Sequence, residues 1–499
     1  MSVPVSPASS PSTGNVLYVG LLVAVGAATA LAVLVAPVNP LVSVVPVLLV
    51  TFVYLLVKVP LRWSASLLLV LILFPDTSDE SKDFWHTPFV VVGDIMNSRI
   101  DAVLGVPGLA TSGTELLLVF LLVVWAYRRS RGEERRDAWS GTLPRDFLVL
   151  YVGAVAFSAA IGFLNGTGVP PWKLRNLLYP VVMLFLFQAA FRVPRDYGLL
   201  GRIIVAGAVL HSILAVIVQT VARAETGGDL SQATSHGDSI LFSLAILVLL
   251  ADAAERPRTA SLVRAAVLVP VILVGVVENG RRTAWLMLAG MFLLAYSLDP
   301  MKGWRRSVTK ALIVAAPLIA LYVAAGWNSE SGIFAPVHVF RSVSDTQTDG
   351  SAYWREVENW NLAMSMRESP LLGIGLGARY TEHMHNVDIS SVYKEYREWP
   401  HNTLFGLFLF MGLFAFTAIW AIYALGIFLA ARSYRLTASP EHRVAALACM
   451  GGIVCCFLMA YGDTGAHYPQ YNTCLGLALA IAPKVAGATG AWPRVVRPG

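Results

Sequence analysis

Three polar segments of this chain contain residues suited to chemistry on an anionic substrate. Arg281 and Arg282 lie in a short turn, Arg355 lies in a long polar loop, and His401 lies where an apolar run resumes. A guanidinium binds phosphate oxygens through charge-assisted hydrogen bonds, each worth about 1.5 to 3 kcal/mol. The unperturbed pKa of an imidazole is near neutrality, so it can act as a general base. The residue types indicate base catalysis beside a phosphate or diphosphate, if the fold brings the segments together.

Each of these residues also has an ordinary explanation at a membrane boundary. The turn arginines could snorkel to water beside Glu278, and His401 could be an interfacial residue next to a helix cap, Asn402. Lys173 and Arg175 form another basic pair, which a helix end facing lipid headgroups explains better than a ligand does. The sequence therefore leaves both a binding role and an anchoring role open for the turn arginines and for His401.

The elements that must position these residues are membrane helices. The chain has 499 residues, of which 56% are hydrophobic and 14% are charged. Apolar runs of this length cannot be buried in a soluble core. At roughly twenty apolar residues per span, we expect an all-α polytopic membrane protein with about 14 transmembrane helices, or roughly 12 to 14. The third, Trp63 to Phe74, is short for a crossing.

The placement of basic residues predicts the topology. With a cytoplasmic N-terminus, 24 of the 37 Lys and Arg residues fall in inside segments, as the positive-inside rule expects. We expect three regions: an N-terminal transmembrane bundle (1–326), a large extracytoplasmic loop with amphipathic helices (327–400), and C-terminal transmembrane helices with a cytoplasmic tail (401–499). The arginine turn, the large loop and the last outer turn, with Asp463 and His467, then face the outside. Asp463 and His467 could orient or supplement His401.

Four apolar residues of the large loop recur at the spacing of one helix face: Tyr353, Val357, Trp360 and Met364. This spacing predicts an amphipathic helix that ends at Ser369-Pro370 and leaves Arg355 off its apolar stripe. Three glycines then predict a turn: Gly373, Gly375 and Gly377. Backbone amides in such a turn could cradle phosphate, although a glycine turn is more often only a turn.

Metal sites are less well supported. His383 and His385 lie among carboxylates in a solvated loop, and the first outer loop (75–114) is acidic without a tight Asp-x-Asp pair. All four cysteines fall in predicted spans, so we expect packing residues and neither a disulfide framework nor a zinc site.

The order of these motifs resembles the O-antigen ligase and O-antigen polymerase superfamily. Its members have an arginine-bearing turn before a hydrophobic helix, a long outer loop that opens on an Arg-containing helix, a Pro-x-x-Gly-x-Gly-x-Gly turn, and a His-Asn pair followed by leucine. The matching residues here are Arg281 and Arg282, Arg355, the glycines after Pro370, and His401, Asn402 and Leu404. The resemblance spans residues 279 to about 413.

The resemblance implies a GT-C-like glycosyltransferase of cell-envelope biogenesis in the bacterial cytoplasmic membrane, with its active site facing outside. The donor would be a glycan on polyprenyl diphosphate and the acceptor a glycan or glycolipid, with no metal, cofactor or nucleic acid. Arg281 and Arg355 would neutralise the diphosphate, Arg282 would be the alternate for Arg281, and His401 would be the general base. Asn402, Asp463 and the glycine turn would support the site.

The resemblance does not separate a ligase from a polymerase. Two other readings of the chain stay open. One is a metal-dependent enzyme that uses polyprenyl monophosphate sugars and binds its metal with the acidic first loop. The other is a membrane transporter or permease, although paired broken spans in matching halves are not apparent in the sequence.

Overall fold

The fold is a bundle of α-helices, and no β-strand occurs in the part of the chain that the structure describes. The structure is a computed structural model that describes residues 23, 25–30, 40–76, 89–98, 100, 111–132, 145–167, 171–228, 230, 232–298, 304–329, 331–334, 336–337, 341, 350–390 and 396–492. The chain forms two units, Met1–Ser64 and Ala65–Gly499. All the residues discussed below as a candidate site lie in the second unit.

The helices are numbered in chain order. They are α1 (Pro40–Lys58), α2 (Leu61–Leu73), α3 (Val90–Asn97), α4 (Gly113–Ser130), α5 (Arg145–Leu164), α6 (Pro171–Ala190), α7 (Pro194–Thr226), α8 (Asp238–Glu255), α9 (Thr259–Asn279), α10 (Arg282–Leu298), α11 (Trp304–Gly326), α12 (Gly350–Met366), α13 (Thr403–Leu436), α14 (Pro440–Gly462) and α15 (Pro469–Thr489). Short 3₁₀ turns lie at Gly332–Phe334 and Gly465–His467.

Six of these helices contain segments that are long and apolar enough to cross a membrane. These segments are Asp146–Leu164, Pro194–Thr226, Thr259–Asn279, Thr309–Gly326, Thr403–Leu436 and Pro440–Gly462. Large aliphatic side chains lie on the outside of such a helix in α11, where Val314 is 76% exposed and Leu318 is 69% exposed. Exposed apolar surface of this extent suits contact with lipid. The expectation of an all-α, multi-pass membrane protein agrees with this architecture.

The interior of the second unit is built around α15 and α8. Every residue of α15 from 470 to 486 is buried, as is every residue of α8 from 238 to 247. A helix that is buried on all sides must be enclosed by its neighbours. Helix α15 packs against α6, α13 and α14, and α8 packs against α7, α9 and α14. The loops that connect these helices therefore meet over a tightly packed core.

Helix α13 is broken near its start, at Gly412, where φ is 66° and ψ is 177°. The segment that follows α12 fills the break. The amides of Ile374 and Gly375 donate to the carbonyls of Leu409 and Phe410, each at 3.0 Å. In return, the amide of Leu413 donates to the carbonyl of Pro370 at 2.9 Å. Each segment thus satisfies backbone groups that the other leaves open.

Candidate active site at one end of the bundle

A polar network joins two neighbouring connections at one end of the bundle. Asn279, the last residue of α9, is fully buried. Its amide nitrogen donates to Ser239 at 2.9 Å, and its amide oxygen accepts from Thr234 at 3.0 Å. The amide of Ala233 donates to the carbonyl of Glu278 at 3.2 Å. These bonds fix the α9–α10 turn, which carries the paired arginines, against the loop between α7 and α8.

Arg281 lies in a chain of contacts that begins in that loop. Its Nη1 donates to Nε2 of His236, and Nδ1 of the same ring pairs with Oδ2 of Asp463. The imidazole also stacks on Tyr468, with ring centroids 5.6 Å apart and ring planes 23° apart. Asp463 directly follows α14, and Tyr468 directly precedes α15. Three connections therefore contribute to a single cluster around Arg281.

Arg355 reaches the same cluster from α12. Its Nη1 donates to the carbonyl of Gly462 at 3.0 Å, which is the residue before Asp463. Its charge acts on Asp463, on His236 and on Arg282. Arg282 and Arg355 are close enough for their two positive charges to repel each other. The arrangement has the electrostatic character of an anion-binding site.

His401 is oriented by a carboxylate on α12. Its Nδ1 lies 3.4 Å from Oε1 and 3.3 Å from Oε2 of Glu358, and its backbone amide donates to Oε2 at 3.2 Å. The Glu358 side chain is only 4% exposed. Because an ionised carboxylate can only accept hydrogen bonds, Nδ1 carries the proton. Nε2 is then the ring nitrogen that can take a proton from a substrate.

The start of α13 holds this histidine next to α12 and to the α14–α15 turn. Asn402 caps the helix by accepting from the amide of Phe405 at 3.1 Å. The Asn402 side chain also donates to Asn359 of α12 at 3.0 Å. Thr403 donates to the backbone carbonyl of Asp463 at 3.1 Å. Asn402 therefore both caps a helix and fixes the position of His401.

The pKa values of the two histidines are shifted in opposite directions. Burial lowers the pKa of His236, as do the charges of Arg281 and Arg355, and their combined effect exceeds the opposite effect of Asp463. Burial also lowers the pKa of His401, but the hydrogen bond and charge of Glu358 outweigh it and raise the pKa above the ordinary value. Arg355 opposes that rise and Asp463 adds to it. Opposite shifts of this kind are typical of sites that move protons.

The carboxyl of Asp463 has a pKa well below its usual range. Burial alone would raise the pKa, but the hydrogen bond of His236, the charge of that ring when it is protonated, the charge of Arg355 and the Thr464 amide all lower it. The Thr464 amide donates to Oδ1 at 2.8 Å. Asp463 is therefore an anion at neutral pH. It orients His236, whereas the sequence indicated His401 as a candidate partner.

The backbone amides of residues 373–376 in the glycine turn donate to backbone carbonyls and are therefore not available to an anion. Two of these amides bond outside the break in α13. The amide of Gly373 donates to the backbone carbonyl of Ser369 at 2.9 Å, and the amide of Leu376 donates to the backbone carbonyl of Ser158 in α5 at 3.0 Å. The three glycines have φ values of 74°, 90° and 92° for Gly373, Gly375 and Gly377, respectively. A Cβ on Gly375 would overlap the backbone of α5. The turn is a packing element, and its predicted phosphate cradle has no support in this geometry.

Other predicted ligands lie elsewhere. Arg175 pairs with Glu115 of α4 at 3.3 Å, and the side chain of Lys173 is outside the described residues. His383 lies 3.7 Å from Glu368. Within the described ranges, no group of three or more His, Cys, Asp and Glu side chains is placed to hold a metal ion. Much of the acidic first outer loop, residues 77–88, 99 and 101–110, is outside the description.

The sequence analysis did not identify two members of the cluster, Glu358 and His236. Glu358 lies three residues after Arg355, so the two share a face of α12, and this spacing could have identified it. His236 precedes α8 in the loop that bonds to the end of α9. Its partnership with Asp463 depends on how distant helices pack, which no local pattern reveals.

No family model matches the chain, and no curated protein sequence matches it.

Proposed function

We propose that the chain is a glycosyltransferase of the O-antigen ligase or polysaccharide polymerase type. It moves a glycan from a polyprenyl diphosphate donor to an acceptor hydroxyl at the outer face of the bacterial cytoplasmic membrane. The observation that carries this proposal is the meeting of Arg281, Arg355 and His401 in one cluster, although 120 residues separate the first from the last.

The arginines supply the binding site for the diphosphate. Arg281, Arg282 and Arg355 bring three positive charges together, and the nearby carboxylates of Asp463 and Glu358 offset only part of that charge. A diphosphate that bridges the guanidiniums relieves their repulsion and gains charge-assisted hydrogen bonds. The negative charge on the leaving group grows as the glycosidic bond breaks, so this stabilisation increases in the transition state.

His401 supplies the base. Nε2 takes the proton from the acceptor hydroxyl, and the hydroxyl oxygen attacks the anomeric carbon of the donor sugar. The bond between that carbon and the phosphate oxygen breaks, and the polyprenyl diphosphate leaves with the electron pair, held by Arg281 and Arg355. Glu358 stabilises the imidazolium that forms. Positioned base catalysis of this kind contributes roughly 10² to 10⁴ in rate.

In such an enzyme the helices have a GT-C-like arrangement with about 14 transmembrane helices, or roughly 12 to 14. It needs no metal and no cofactor. The cluster lies at the helix ends that, by the distribution of basic residues, are predicted to face outside. A donor flipped from the cytoplasm would meet the site there. The acceptor decides between the two activities, because a ligase uses a lipid or wall glycan and a polymerase uses another lipid-linked repeat.

The test uses the purified full chain in lipid nanodiscs with a polyprenyl diphosphate-linked glycan and its acceptor. We expect His401→Ala to reduce transfer by roughly 10² to 10⁴, since it removes the base. His385→Ala, which removes an exposed histidine of the large loop, is the matched control and is expected to retain activity. A chelator such as EDTA should leave the rate unchanged. Near wild-type transfer by His401→Ala, or no transfer from a diphosphate donor by the wild type, contradicts the proposal.

A further inference from the structure

The contacts of Arg281 identify the protonation state of its partner. A guanidinium has hydrogen-bond donors and no acceptor. Since Nη1 of Arg281 contacts Nε2 of His236, that nitrogen must accept and cannot carry a proton. The proton of a neutral imidazole then lies on Nδ1, where it is donated to the carboxylate of Asp463. The cluster is consistent with a single tautomer of an uncharged ring.

This ring is held in place from several sides. Tyr468 stacks on one face of His236, and the Tyr468 hydroxyl bonds to Thr464 at 3.2 Å. The Asp463 carboxylate is in turn fixed by the amide of Thr464. The Asp463 side chain is 4% exposed and that of His236 is 21% exposed. Side chains held in this way keep a fixed direction for the groups they contact.

We propose that His236 is a positioning residue, which as a neutral imidazole holds Arg281 beside Arg355 and thereby assembles the two-arginine binding site. The inference rests on the proposed function in that it assigns Arg281 to the diphosphate. It goes further because neither the sequence pattern nor the proposed reaction requires a second histidine. An uncharged acceptor suits this role, since a carboxylate in the same place would compete with the diphosphate for the guanidinium.

The charges that face His236 agree with this assignment. Asp463 lies on the Nδ1 side, Arg281 lies on the Nε2 side, and Arg355 acts from α12. Burial and the two arginines lower the pKa of His236, so the ring remains neutral at pH values where an ordinary histidine becomes charged. Protonation would place an N–H group against the guanidinium and break the contact.

Two variants separate the two sides of the ring. The side-chain amide oxygen of His236→Gln can occupy the Nε2 position and accept from Arg281. The side-chain amide nitrogen of His236→Asn can occupy the Nδ1 position and donate to Asp463, but it offers nothing to Arg281. The Gln variant therefore preserves the proposed contact, and the Asn variant removes it.

The experiment measures binding of undecaprenyl diphosphate, without a glycan, to the full chain in nanodiscs. We expect His236→Gln to bind within about threefold of the wild type. His236→Asn should bind roughly tenfold more weakly or worse, as should Arg281→Ala, since each loses a charge-assisted contact. The double variant His236→Asn with Arg281→Ala should be no worse than Arg281→Ala alone, because both changes remove one interaction. Additive losses, or wild-type binding by His236→Asn, overturn the inference.

A second measurement does not depend on the donor. Nitrogen-15 spectra of histidine-labelled protein distinguish neutral tautomers from the imidazolium, and the signal missing from His236→Gln identifies this residue. We expect the neutral Nδ1–H tautomer at neutral pH, and a charged ring would refute the inference. If the wild type fails to bind undecaprenyl diphosphate while the ring is neutral, the proposed function fails, and with it the assignment of Arg281 to diphosphate.

Discussion

Replacing Glu358 by Gln tests the catalytic pair most directly. The substitution keeps the size of the side chain and an acceptor oxygen, but it removes the negative charge from the group that contacts His401. Both carboxylate oxygens lie within 3.4 Å of Nδ1 in the native arrangement. The change therefore acts on the charge opposite the imidazole.

The expected size of the effect follows from the loss of a charged hydrogen bond. Such a bond contributes about 1.5 to 3 kcal/mol, against about 0.5 to 1.5 kcal/mol for a neutral one. The imidazolium that forms in the transition state then loses about 1 to 1.5 kcal/mol, which corresponds to roughly a tenfold fall in kcat. A larger fall follows if the amide turns its nitrogen towards Nδ1, because that selects the wrong tautomer of His401.

The pH dependence of kcat tests the same pair of residues independently, because the direction of its shift can be predicted. Glu358 raises the pKa of His401, and the base works only when it is unprotonated, so activity rises as pH increases through this pKa. Glu358→Gln removes the cause of the rise, so the pKa falls and the acid limb of kcat moves to lower pH. The value of kcat on the high-pH plateau should fall at the same time.

The assay compares transfer rates of purified wild type and Glu358→Gln across the range in which histidine titrates. Glu356→Gln is the matched control, since Glu356 is on the same helix but exposed. It should leave both the plateau and the acid limb unchanged. An unchanged plateau and limb for Glu358→Gln, in protein of wild-type thermal stability, would refute the assignment of His401 and Glu358 as the base and its partner.

Three further predictions concern binding and packing. In steady-state kinetics, Arg355→Ala should raise the KM for the donor roughly 10- to 100-fold with little change in the KM for the acceptor. The control Arg367→Ala, at an exposed position, should change neither KM, and equal losses for both substrates would argue against diphosphate binding. Gly375→Ala should prevent folding, and size-exclusion chromatography of the detergent-solubilised protein should then show no monodisperse peak. Gly166→Ala, with φ of 73° and open space around it, should cost only about 1 to 2 kcal/mol, and equal effects would remove the packing argument. Arg175→Ala should leave donor KM unchanged and lower stability by about 0 to 1 kcal/mol, because its ion pair is structural; a donor defect would restore it as a ligand.

The sequence predicted the helix of the large loop but not the polar part of the face that it buries. Of the apolar stripe, Val357 is buried, whereas Tyr353 and Trp360 are 46% and 40% exposed. The helix also buries Glu358, Asn361 and Ser365. The Asn361 and Ser365 side chains bond to backbone groups of residues 381–384, and Glu358 bonds to His401. Apolar periodicity could not identify this face, since hydrogen bonds to a distant segment determine it.

The same limit applies to the candidate site. Its position at a membrane boundary marked Arg281, because an arginine there needs an explanation of its own. Arg355 was marked by its place off the apolar stripe of the loop helix. Nothing local marked His236, whose partner Asp463 lies 227 residues further along the chain. The glycine turn was recognised as a turn, but its role was not. Whether backbone amides meet an anion or a neighbouring helix depends on tertiary packing.

The exchange of hydrogen bonds between the glycine turn and the broken α13 has a consequence for biogenesis. The ribosome delivers residues 369–377 before residues 409–414, so the turn must wait with unsatisfied amides until the helix that completes it arrives. The carbonyls of Leu409 and Phe410 in α13 are likewise unsatisfied until they meet the turn, and hydrocarbon does not tolerate unpaired backbone groups. The two segments should therefore enter the bilayer together. The large loop is then joined to α13 by these hydrogen bonds as soon as both segments are in place.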